Sequence, residues 1–243
     1  RGHETSVLTK QAGDWLGLLL TYPLMALVAL AAVINSFECG GRRGMFADRC
    51  AEEILNRLGD RTWFVTDGTL DAHLQIMARE RGKELNLICL QKDMSLSYLK
   101  SMARLIEQKR LFAPADMQRM KSTLDLGILP FLQDWFAMDK EIEKKVAVFG
   151  VPDFWYTAGI TPVPEYLFFA GSRDIKALKK EPLLATYTAF WNEMDKVLAA
   201  NKKSSDDPTI RLRAHLRRHM GFVANNLGVL LEDLEKDADA YAV

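Results

Sequence analysis

The pattern of apolar and polar positions divides the chain into three stretches. From Trp15 to Phe37, 23 residues pass without an Asp, Glu, Lys, Arg or His, so no face of a helix built from them would be polar. Such a helix would be about 34 Å long, against a hydrocarbon layer of about 30 Å, and the expectation is a membrane-spanning helix with its flanks over residues 1–40. Trp15 and Tyr22 suit an interfacial position, Pro23 is tolerated in spanning helices, and Gly40-Gly41 followed by Arg42 and Arg43 marks the exit. The run is too long for a signal peptide and lacks a short basic start. A core helix of a soluble protein is the competing reading, disfavoured by the absence of any polar face.

Residues 41–200 read as a soluble α/β domain. Thr62 to Thr66 is a short run of β-formers ending at Asp67-Gly68, which predicts a buried strand closing in a turn. Leu70, Leu74, Met77 and Ala78 then recur at helical spacing, with Asp71 in the first turn and Gly82 as a stop. Leu85 to Leu90 is a second buried run, so the strand–helix–strand order predicts a parallel pair. A helix follows from Ser95. The stretch from Ala115 to Lys145 is helical and divided near Gly127 and Pro130, and Val146 to Phe149 is a third strand. Pro152, Gly159, Pro162 and Pro164 predict a structured loop, with a further strand at Tyr166 to Phe169.

Glu181 to Ala200 reads as a helix, Asn201 to Pro208 as a polar surface linker, and Thr209 onward as a second helical region. The expected fold class is α/β: an N-terminal transmembrane helix, a small parallel-sheet, Rossmann-like three-layer domain, and a C-terminal helical segment over 209–243. Arg1 in place of an initiator methionine, and a helical pattern still running at Val243, read as a piece of a longer protein.

Charge and cysteine content change this picture little. With 32 basic and 32 acidic side chains the formal charge is zero, so there is no global attraction for nucleic acid, and none is expected as a partner. Cys39, Cys50 and Cys89 are odd in number and widely spaced, which supports neither a zinc site nor a disulfide framework and makes each a small buried hydrophobe. The basic residues after the apolar run, Arg42, Arg43 and Arg49, weakly place the soluble part in the cytoplasm.

Candidate chemistry lies at the strand ends, because ligands of open parallel sheets bind beyond the carboxyl edge. Those ends carry Asp67-Gly68-Thr69, Asp93 and Asp153, which form the candidate ligand site for a sugar, a nucleotide or a cation. The plainer reading is that Asp and Thr there build turns and caps. No glycine-rich phosphate motif is present, and no cofactor is expected. His215 and His219 are four apart, but Leu216-Arg217-Arg218 between them has no glutamate and adds positive charge, so no metal is expected. The clusters Phe131-Leu132 with Trp135-Phe136, and Phe154-Trp155-Tyr156, read as core before they read as stacking platforms. No nucleophile motif marks a catalytic residue.

From Gly221 the chain resembles a tetratricopeptide repeat: Leu227 and Gly228 fall on the Leu-Gly pair, Leu231 on the aromatic position and Ala240 on the small packing position, while Ala224, Glu235 and Asp237 depart from it. The resemblance implies two helices and further repeats that present a surface to a protein partner. The segments Thr62 to Thr69 and Leu85 to Leu90 also resemble bacterial membrane proteins of the protein O-mannosyltransferase-like class, which combine a membrane part, a soluble α/β segment and trailing tetratricopeptide repeats. That resemblance implies glycosyl transfer from a lipid-linked sugar and a soluble part outside the cytoplasm, and carries over no catalytic residue. Two expectations follow. One is a binding and assembly segment anchored in the bilayer of the inner or plasma membrane. The other is the accessory soluble region of a membrane glycosyltransferase that meets a glycan.

Overall fold

A computed structural model describes residues 21–33, 44–93, 95–175, 178, 180–199 and 208–240. They fall into two units, the first ending at Met45 and the second running from Phe46. In the first unit residues 21–33 form a helix, α1, on which Tyr22, Leu24, Met25, Leu27, Val28, Leu30 and Val33 are all exposed. Among the described residues no helix is long and apolar enough to cross a membrane. The remainder of Trp15–Phe37 lies outside the described residues, as do Cys39 and most of the Asn201–Pro208 linker.

The second unit is a five-stranded sheet in the order β2-β1-β3-β5-β4 with helices on both faces. Strand β1 (Trp63–Thr66) pairs in parallel with β2 (Asn86–Cys89) on one side and with β3 (Val146–Val148) on the other. All three are short, wholly buried runs, as a strand covered on both faces requires. Alternation along them divides the core. Trp63, Val65, Ile88, Val146 and Val148 face α4 (Leu96–Gln108), α5 (Pro114–Asp125) and α6 (Ile128–Met138). Phe64, Leu87, Ala147 and Phe149 face α2 (Met45–Arg57), α3 (Asp71–Glu80), α9 (Lys180–Ala199) and α10 (Pro208–Ala240). The aromatic clusters are core except for the exposed Tyr156: Trp135 makes an edge contact with Trp63 at 5.4 Å between centroids, and Phe136 meets Trp155 at 4.7 Å. A four-residue turn, α7 (Ile142–Lys145), leads into β3, and a five-residue turn, α8 (Asp153–Thr157), leaves it.

Three expectations are corrected. The sheet is mixed and not parallel throughout, because β4 (Thr161–Glu165) and β5 (Phe168–Ser172) form an antiparallel hairpin that joins β3 through β5. The segment of Pro162 and Pro164 expected as loop is thus strand β4. It takes the outer position, where the two missing donors, two residues apart, face the same open side. Among the described residues the two-helix start of a tetratricopeptide repeat is absent. Residues 208–240 are one continuous helix, so Leu231 and Ala240 lie on the same rod and not on two antiparallel ones. Its apolar stripe, Leu216, Met220, Val223, Leu227, Leu230 and Leu231, is buried against the body, which outweighs the roughly 1 kcal/mol each that Gly221 and Gly228 cost a helix.

Candidate functional site

The strand β1 ends at Thr66, and the next three residues turn the chain into α3. The Asp67 Oδ1 accepts the Thr69 amide at 2.9 Å, and the Thr66 Oγ1 accepts the Gly68 amide at 3.0 Å, so the turn is closed by its own side chains. Gly68 has φ +88°, and a Cβ there would stand 2.9 Å from the Cys89 Sγ on the neighbouring strand. Glycine is therefore required twice over, by backbone conformation and by space.

Under this turn sits Asp71, the first residue of α3. Its Oδ1 is buried and has no hydrogen-bond partner among the described residues, while the Thr66 hydroxyl and the Cys89 thiol lie within reach of the carboxyl group. Burial holds the carboxyl above its usual 3.8, against the lowering influence of those two groups and of the Lys92 ammonium. Burial, and then the Asp71 charge, raises the Cys89 thiol in turn. The Lys92 ammonium lies 5.3 Å from the centre of the Tyr98 ring. The Tyr98 hydroxyl accepts the Cys89 amide at 2.8 Å and donates to the Leu87 carbonyl at 3.3 Å. It thereby satisfies the outer edge of β2, and burial pushes its own titration up to about 12.

The fourth wall comes from α10. The His215 Nε2 is 2.7 Å from the Asp67 Oδ2, and both side chains are partly open to solvent. One turn on, His219 is buried, with its Nε2 2.7 Å from the Leu167 carbonyl and its ring 3.8 Å from that of Phe149, the residue that follows β3. Because Trp63 pairs with Val146 and Val65 with Val148, the register sets Asp67 beside Gly150 at the carboxyl edge.

The expected site is brought together only in part. Asp67, Gly68 and Thr69 form the turn just described. Asp93 is turned elsewhere: its Oδ1 accepts the Ile128 amide and sits against Gly127, capping the start of α6. Asp153 is exposed in α8 after β3, and among the described residues no hydrogen bond or ion pair joins it to Asp67 or Asp93. The sequence reading missed Thr66, Asp71, Cys89, Lys92 and His215 as members. The one local signal was Asp71, four residues past Asp67 across a strand-to-helix turn. Among the described residues no three His, Cys, Asp or Glu side chains are grouped to hold a metal ion. Comparisons with protein-family models, with curated proteins and with solved structures return no match.

Proposed function

We propose that the chain is a membrane-tethered binding segment whose α/β body takes a neutral, hydroxyl-rich ligand at the carboxyl edge of β1 and β3. The observation that carries the reading is the pairing of Asp67 and His215 at the end of β1, where both side chains are partly open to solvent. The Asp67 carboxylate and the His215 ring can exchange hydrogen bonds with the hydroxyls of a ligand there. The Asp67 carboxylate at this edge disfavours phosphate and carboxylate groups, so sugar hydroxyls suit the edge better than a nucleotide does. The tether is the apolar run Trp15–Phe37, and the exposed apolar side chains of residues 21–33 support it.

The accessory-region reading of a membrane glycosyltransferase shares this ligand class and so stays as the second reading. Binding through tetratricopeptide repeats loses its support here, because α10 is a single helix. The test uses the full chain in detergent micelles against an array of neutral and anionic glycans, with nucleotides and inorganic phosphate as controls. Neutral glycans should bind and Asp67→Asn, which keeps the acceptor of the turn, should weaken them at least about tenfold, the loss of one charged hydrogen bond. Binding of phosphate in preference, or glycan binding indifferent to Asp67→Asn, overturns the site. Full recovery of the chain in the supernatant of detergent-free membranes overturns the tether.

A further inference from the structure

We propose that the first half of α10 is an acid-released cover over the carboxyl ends of β1 and β3, latched by His219 in its uncharged form. The cover touches the residues that follow both strands: His215 meets Asp67 after β1, and His219 lies on Phe149 after β3. Between and beyond them Leu216, Met220 and Val223 are buried, and Phe222 sets its ring 5.8 Å from Phe169.

The latch follows from what surrounds the His219 ring. One nitrogen, Nε2, donates to the Leu167 carbonyl at 2.7 Å, and the ring face is covered by Phe149. A proton on Nδ1 would place a charge in that apolar seat. The ionisable groups that act on the ring are Asp67 from the β1 side and His215 from its own helix. The nearby Arg217 is held by Asp195 of α9 at 2.7 Å. Burial dominates and lowers His219 from 6.5 to about 4.

The sign is fixed by this lowering. Well above pH 6.5 neither the seated nor the released helix carries the proton and the latch is at full strength; from about 6.5 down to about 4 the released helix takes the proton and the seated one does not, so seating weakens as pH falls. Over that window the ratio of released to seated α10 rises about thirty-fold on going from pH 7.5 to 5.0. A protonated His215 would hold Asp67 as an ion pair and works against release. The cover stands on contacts of α10 alone and does not depend on what ligand the edge takes.

Hydrogen exchange followed by mass spectrometry on the full chain tests it, comparing residues 212–223 with 99–136 on the opposite face at pH 7.5 and 5.0 after correction for intrinsic rates. Protection of 212–223 should fall severalfold, and by no more than about thirty-fold, on acidification while 99–136 stays protected. In His219→Gln, whose amide can still donate to Leu167, most of that fall should vanish. An unchanged α10, a parallel loss in 99–136, or an equal fall in His219→Gln overturns the cover. If His219→Gln does not fold, an NMR titration of His219 in the unaltered chain decides the matter, since an ordinary histidine midpoint near 6.5 removes the latch.

Discussion

His215 and Asp67 stand 148 positions apart in the chain, yet the imidazole Nε2 lies 2.7 Å from the carboxylate Oδ2. The pair ties the long helix α10 to the turn that ends the central strand β1. Both side chains are partly solvated, 45% and 23% exposed, so the attraction is screened. A double-mutant cycle with His215→Ala and Asp67→Asn, which keeps the turn's acceptor, should give a coupling of about 0.2–1 kcal/mol in urea titrations at low salt. It should shrink at 1 M salt on the order expected from screening. A coupling above roughly 2 kcal/mol would mean that the pair is buried more deeply than its exposure indicates.

Gly68 occupies a left-handed position with the Cys89 sulfur behind it. Gly68→Ala should therefore lower unfolding stability by roughly 1–3 kcal/mol, from backbone strain and crowding together. The midpoint of urea unfolding measures this. Combining it with Cys89→Ala, which opens the space, should recover the crowding share and leave the strain.

The Tyr98 hydroxyl serves both the Cys89 amide and the Leu87 carbonyl on the outer edge of β2. Tyr98→Phe keeps the ring and strands both groups, at a cost of about 1–3 kcal/mol. Faster exchange of the Cys89 amide, seen by NMR, localises the effect. No change in that amide would refute the role given to the hydroxyl.

Burial raises the Asp71 carboxyl above its ordinary 3.8, so the folded chain holds that proton more tightly than the unfolded one. Asp71 accordingly subtracts stability as pH rises through its raised midpoint. Asp71→Asn removes that dependence and should gain on the unaltered chain as pH rises above the ordinary 3.8 and through the raised midpoint. Thermal melts of the two across this range give the difference directly; a variant that falls behind as pH rises contradicts the assignment.

The parts of the fold that were legible from sequence are those where local pattern and tertiary role coincide. The strands β1, β2 and β3 lie within the apolar runs that predicted them, and the break near Gly127 and Pro130 separates α5 from α6 as expected. Pro162 and Pro164 misled, because a proline reads as loop unless one knows that its strand takes an outer position. Gly228 misled in the opposite sense: a Leu-Gly pair suggests close helix packing, whereas a Cβ added at this glycine meets nothing within 4 Å. In the site, the Asp67-Gly68-Thr69 turn is local chemistry and was readable. The diversion of Asp93 to a helix start 35 positions away, and the arrival of His215, are tertiary facts that no spacing encodes.

The two borders of the sheet also bear on how the chain behaves in concentrated solution. On the β4 side two prolines withhold amide hydrogens, and on the β2 side a phenol already occupies the backbone groups. An incoming extended segment finds no continuous ladder at either border, which disfavours strand-to-strand polymerisation of the folded body. Tyr98→Phe would reopen one of these borders, so that variant should be the first to form fibrils on prolonged agitation, and thioflavin fluorescence would report it.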